Sequence, residues 1–116
     1  MIIKPNRCEE GHVSEDRAAV ASLQEVLAAV SDPVRLEMLR RLETDGSPVA
    51  CALLYDGIGK STASHHFKIL REAGVIESEA IAGKTHQRLR LDEVEAAYPG
   101  VLSSILAVAP AQPPAR

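Results

Sequence analysis

The feature that most constrains the fold is a change of period at Gly74. Ahead of it, Ala63, His66, Phe67, Leu70 and Ala73 recur on one side of a helix at about 100° per residue. Ser61, Ser64, His65, Lys68 and Arg71 fall on the other side. Behind it, Thr85-His86-Gln87-Arg88-Leu89-Arg90-Leu91 alternates with the period of a strand. Gly74 can take the left-handed conformation that ends a helix. The pattern therefore predicts a helix over about 60–73 that runs directly into a two-stranded wing over about 76–91. Gly59 stands where a cap residue sits, a weaker cap than Ser or Asp.

The outer face of that helix offers hydroxyls, an imidazole and cations, with no aromatic platform. Such a face suits the phosphates and base edges of a duplex groove better than a stacked single strand. The bland alternative is a solvated helix face. Charge favours the first reading: residues 60–90 hold six Lys/Arg against three Asp/Glu, although the whole chain carries a formal net charge of −3. Local charge governs the phosphate contribution, so a basic reading head on an acidic body binds DNA with few contacts and a shallow salt slope.

At 116 residues the chain is one domain, short of apolar surface, which dimerisation would supplement. Phe67, Tyr55 and Tyr98 are its only aromatics, so the core must be Leu, Val, Ile and Ala. No apolar run approaches a membrane span and no signal-peptide segment opens the chain, which predicts a cytoplasmic protein with no membrane partner. Two cysteines far apart suggest reduced thiols rather than a disulfide framework.

Residues 1–14 read as a flexible arm, 15–108 as the folded domain and 109–116, rich in Pro and Ala, as a disordered tail. Ala19, Val20, Leu23, Val26, Leu27 and Val30 predict a first helix from Glu15 to Val30. Asp32 can cap the second, with Pro33 at its first position and Leu36, Leu39 and Leu42 facing the core. Asp45-Gly46-Ser47-Pro48 predicts a turn followed by a short third helix from about Pro48 to Tyr55. The fold class is mainly α with a small β-hairpin. Asp92 can cap a last helix over about 92–108 that Pro99-Gly100 interrupts. Apolar stripes on the first and last helices, Leu23, Val26 and Leu27 with Val101, Leu102, Ile105 and Leu106, read as a homodimer interface. Intramolecular packing is the alternative.

For the wing, Gly83-Lys84 reads as the hairpin tip. A two-residue loop there pairs Glu79 with Arg88 and Glu77 with Arg90, partly neutralising both arginines. Lys84 and His86 are then better placed for the DNA backbone, with Arg88 a further candidate. A longer loop would change the pairing.

The run Lys60-Ser61-Thr62-Ala63-Ser64-His65-His66-Phe67-Lys68-Ile69-Leu70-Arg71-Glu72-Ala73-Gly74-Val75-Ile76 resembles the second helix of the helix-turn-helix in ArsR/SmtB-type winged-helix repressors. Leu27-Ala28-Ala29-Val30-Ser31-Asp32-Pro33-Val34-Arg35-Leu36-Glu37-Met38-Leu39-Arg40-Arg41-Leu42 resembles a second signature of that family, at a similar spacing. The likeness covers roughly residues 18 to 106. It implies a dimeric winged helix-turn-helix repressor that binds a roughly palindromic operator in double-stranded DNA and is released by an effector. By the same likeness Ser61, Thr62, Ser64 and His65 reach the major groove, Lys68 favours phosphate, and His66 packs inward; Lys60 is a further DNA-binding candidate. His65 stands where relatives commonly carry Arg, so a guanidinium fork on guanine is not expected.

Many relatives sense metals or metalloids. The site built from His and carboxylates on the last helix is missing here, since Asp92 to Val108 holds no His. Of the two cysteines relatives carry on the third helix, only Cys51 remains. Cys51 with Cys8 and His12 from the arm could hold a thiophilic ion such as Zn(II) or Cd(II), with Glu9 or water as fourth ligand. An As(III) trithiolate would be one sulfur short. The alternatives are a buried apolar Cys51 on a chain without a cofactor, or a thiol-redox switch through the same cysteines. An enzyme is not expected: Ser64, His65 and His66 are neighbours on a helix whose side chains diverge, and no glycine loop cradles phosphate. A winged helix used only for protein contacts fits poorly with the basic stretch at 60–90.

Overall fold

The computed structural model describes residues 19–46 and 48–108. The expected arm with Cys8 and His12, and the expected tail, lie outside them. Helix α1 spans Leu23–Val30, α2 Pro33–Asp45, α3 Lys60–Glu72, α4 Leu91–Ala97 and α5 Val101–Val108. Strands β1 (Val49–Ala50), β2 (Ile76–Ile81) and β3 (Lys84–Leu89) form one antiparallel sheet in the order β1-β3-β2.

Local chemistry sets most of these boundaries. Ser22 and Glu25 form a reciprocal cap, the Glu25 N–H donating to Ser22 Oγ and the Ser22 N–H to Glu25 Oε1, both at 3.2 Å. This starts α1 at Leu23, well after the Glu15 expected from periodicity. Ala19 and Val20 precede the helix, and the Ala21 N–H is committed to the Ala73 carbonyl at 3.0 Å. Asp32 caps α2 as expected, accepting from the Val34 N–H at 2.8 Å with Pro33 at the first position. Gly74, at φ 81°, terminates α3. Arg90 rather than Asp92 occupies the cap of α4, leaving Asp92 in the first turn, where its charge favours the helix dipole. Pro99-Gly100 does separate α4 from α5, and Glu95 bridges them by accepting from the Gly100 and Ser103 N–H groups at 2.7 and 2.9 Å.

The expected third helix does not form. Val49 and Ala50 instead pair with Gln87 and His86 as β1, and only a single 3-10 turn, Cys51–Leu53, follows. Pairing satisfies the outer edge of β3, which a helix starting at Pro48 would leave open. Arg41 fixes the turn from α2, reaching the Leu53 carbonyl and Asp56 Oδ2, each at 3.2 Å.

The core joins all these elements: Val26, Met38, Leu39, Leu42, Leu54, Phe67, Leu70, Val75, Val94 and Leu102 are almost fully buried. Phe67, at its centre, meets Tyr55 edge-on with ring centroids 6.2 Å apart. Three residues expected on a dimer face, Val26, Leu102 and Leu106, belong to this core. A small chain needs every apolar stripe for its own interior first, so periodicity alone does not separate core from interface.

Candidate nucleic-acid interface

Helix α3 sits with Ala63, Phe67 and Leu70 wholly buried and Ala73 nearly so, which turns the opposite face outward. Lys60, Ser61, Thr62, His65 and Lys68 are exposed, while Ser64 is half-buried. Thirteen residues at about 1.5 Å rise give roughly 20 Å of helix, enough to lie along a major groove with its first turns against base edges. Lys68 also pairs with Glu72 at 3.7 Å across one turn, an exposed contact that DNA phosphate can displace. Arg71 is unlike its neighbours on that side. It is half-buried, and its Nη1 is enclosed with no hydrogen-bond partner.

The wing departs from its expected register by one residue in the loop. Ala82-Gly83 forms the tip, both at positive φ (53° and 81°), so the glycine takes the second central position of a type I′ turn rather than the first. Ile81 then faces Lys84, Glu79 faces His86 and Glu77 faces Arg88. Arg88 Nε lies 3.2 Å from Glu77 and 3.6 Å from Glu79, so this candidate contact is held between two carboxylates. Arg90 is buried and pairs with Glu93 at 2.9 Å. Lys84 is exposed beside the tip, and His86, half-buried, approaches the Lys84 carbonyl through Nδ1 at 3.1 Å.

Beneath the wing lies a polar relay that alternation did not reveal. Gln87 is fully buried; its Oε1 accepts from Ser78 Oγ at 3.1 Å and its Nε2 donates to Cys51 Sγ at 3.4 Å. Only the cross-strand pairing of Ser78 with Gln87 and the turn after β1 bring these three together. Cys51 is disulfide-bonded, which corrects the expectation of a reduced thiol. Among the described residues no cluster of three or more His, Cys, Asp or Glu side chains could hold a metal ion. Cys8 and His12, the other proposed ligands, are outside that set.

A buried-backed helix following a short turn, with a three-stranded wing behind it, defines a winged helix-turn-helix protein. Residues 30–79 match a family model described as a helix-turn-helix domain. The chain is 34% identical over 83 residues to an uncharacterized HTH-type transcriptional regulator, YceK, of Bacillus subtilis strain 168, covering 70% of this chain and 83% of that one. It is 38% identical over 56 residues to a second such regulator, MJ1325 of Methanocaldococcus jannaschii, covering 47% and 62%. Among solved structures it is similar to the transcriptional repressor BigR from Xylella fastidiosa, with a TM-score of 0.57, 27% identity, and coverage of 78% and 88%. The chain belongs to the HTH-type transcriptional regulators and is a DNA-binding protein. None of its described helices is long and apolar enough to cross a membrane.

Proposed function

We propose that the protein is a dimeric ArsR/SmtB-type repressor, acting in the cytoplasm, that occupies a roughly palindromic operator and is released by an effector. The observation that carries this reading is the division of α3: one face closed into the core, the other presenting two lysines, hydroxyls and an imidazole. The likeness to a repressor of similar fold supports it. A homodimer would set two such helices about 34 Å apart on one side of the duplex. Leu23 and Leu27 on α1, 38% and 41% exposed, with Val101 and Ile105 on α5, remain for the contact between protomers.

The test is fluorescence anisotropy on DNA from the protein's own upstream region across a salt series. Lys60→Ala with Lys68→Ala should weaken binding to every sequence and flatten the log–log salt slope by about two. Changes at Ser64 or His65 should alter which sequence is preferred. An unaltered slope in the double lysine variant would remove α3 from the phosphate contact.

A second reading of the effector is favoured by the bonded state of Cys51. A thiol-redox signal would reach the wing through Gln87, whereas a Zn, Cd or As(III) site would first need that sulfur released as a thiolate. Titrations of reduced and oxidised protein, each with and without Zn(II), Cd(II) or arsenite, separate the two. Redox dependence abolished by Cys51→Ser supports the first, and relief of binding by one metal supports the second.

A further inference from the structure

We propose that Arg35 positions the recognition helix through His66, and that a proton taken up by His66 loosens the helix and lowers DNA affinity. The inference rests on α3 being the element that reads DNA.

Arg35 lies on α2, away from the exposed face of α3, and its side chain is only 13% exposed. Its Nε donates to the Ala29 carbonyl in the last turn of α1 at 2.6 Å, and its Nη1 stands 3.0 Å from Nδ1 of His66. A guanidinium cannot accept a hydrogen bond, so Nδ1 must be the acceptor and the ring proton must sit on Nε2. The imidazole in this geometry is neutral. One planar fork thereby ties α1, α2 and α3 at a single point. Lysine, with one ammonium, could not span both acceptors in the same plane.

The charged surroundings of His66 come from α2 and α3. At the cap of α2, Asp32 Oδ2 is 3.8 Å from Arg35 and 3.9 Å from His66 Nδ1, while Asp32 Oδ1 accepts the capping hydrogen bond. On α3, the His65 ring is 6.2 Å away. From α1 the contribution is the Ala29 carbonyl, and Glu25 and Glu72 line the adjoining cleft of about 250 Å³ with Arg35. Burial lowers the His66 pKa below 6.5; Asp32 opposes the shift and Arg35 and His65 add to it.

A proton from solvent on Nδ1 removes the acceptor and sets a second cation against Arg35. Asp32 Oδ2 is the carboxylate placed to take the new N–H, and reaching it requires the ring, and α3 with it, to move relative to α2. Positive charge gained elsewhere on the DNA face would instead strengthen binding near phosphate. The two effects oppose each other, so the experiment must isolate His66.

DNA affinity is to be measured between about pH 7.5 and about pH 5.5 for the wild type, His66→Asn and Arg35→Lys. Asn offers an acceptor oxygen near the Nδ1 position and does not titrate. The wild type should lose affinity relative to His66→Asn as pH falls through the folded His66 pKa, which burial holds below the ordinary 6.5, by about a few-fold at the acid end of the range. Arg35→Lys should bind on the order of tenfold more weakly at pH 7.5 with an unchanged salt slope, since the Arg35 side chain is largely buried and engaged with Ala29 and His66. A constant ratio of wild type to His66→Asn across pH, or full affinity in Arg35→Lys, would overturn the proposal. NMR titration of the free protein stands independently of DNA. The amides of residues 60–72 should shift with the midpoint of the His66 ring, and a helix indifferent to that midpoint would overturn the proposal even if no DNA is bound.

Discussion

At the scale of the residue, the sharpest constraint is at Gly74. Its φ of 81° strains any other residue, and an added Cβ would stand 2.6 Å from both the Ala19 carbonyl oxygen and Val20 Cα. Because both obstacles are backbone, Gly74→Ala must push the segment before α1 off the end of α3. We expect a loss of about 2–4 kcal/mol in denaturant unfolding, from left-handed strain plus overpacking. Ala82 is the opposite case. It is the one non-glycine residue at positive φ among those described, and its side chain is exposed at the wing tip. Ala82→Gly or Ala82→Asn should stabilise the fold by about 0.5–1 kcal/mol, since both tolerate that conformation. His66 adds a pH dependence. Its folded pKa lies below 6.5, so its contribution to stability is complete above that value and is lost as pH falls toward the folded pKa.

At the scale of the element, the wing shows how register governs charge. A shift of the tip from Gly83-Lys84 to Ala82-Gly83 moves Arg88 from Glu79 to Glu77 as direct cross-strand partner. Alternation cannot make this distinction, because either loop keeps inward and outward positions consistent on its own strand; the sign of φ at each tip residue decides it. The relay from Ser78 through Gln87 to Cys51 holds the three-stranded base together. Gln87→Leu leaves the Ser78 hydroxyl buried without its acceptor, an expected cost of about 1–3 kcal/mol. Adding Ser78→Ala should recover much of that loss, because removing both polar partners is cheaper than orphaning one. Thermal unfolding of the single and double variants measures the coupling.

At the scale of the whole molecule, the balance between core and interface comes forward. With Val26, Leu102 and Leu106 buried in one protomer, the proposed dimer depends on Leu23, Leu27 and the outer side of α5. Leu23→Glu with Leu27→Glu should give a monomer in analytical ultracentrifugation, with a melting temperature no longer dependent on protein concentration and operator binding sharply reduced. A dimer that persists in that variant would shift the contact elsewhere.

By itself, the sequence determined what neighbours in the chain decide. The facing of α3, its stop at Gly74, the cap and proline at Asp32-Pro33, and a hairpin after residue 76 all follow from periodicity and backbone preference over a few residues. Tertiary structure decided the rest, because the competing states differ only in long-range partners. Val49-Ala50 became a strand because β3 had an open edge, and Val26 and Leu102 became core because nothing else could fill it. Arg35 and His66, separated by 31 positions, met only when α2 and α3 packed. No local pattern marks an arginine and a histidine as partners; their hydrogen bond exists because packing encloses both and leaves each the other's available group.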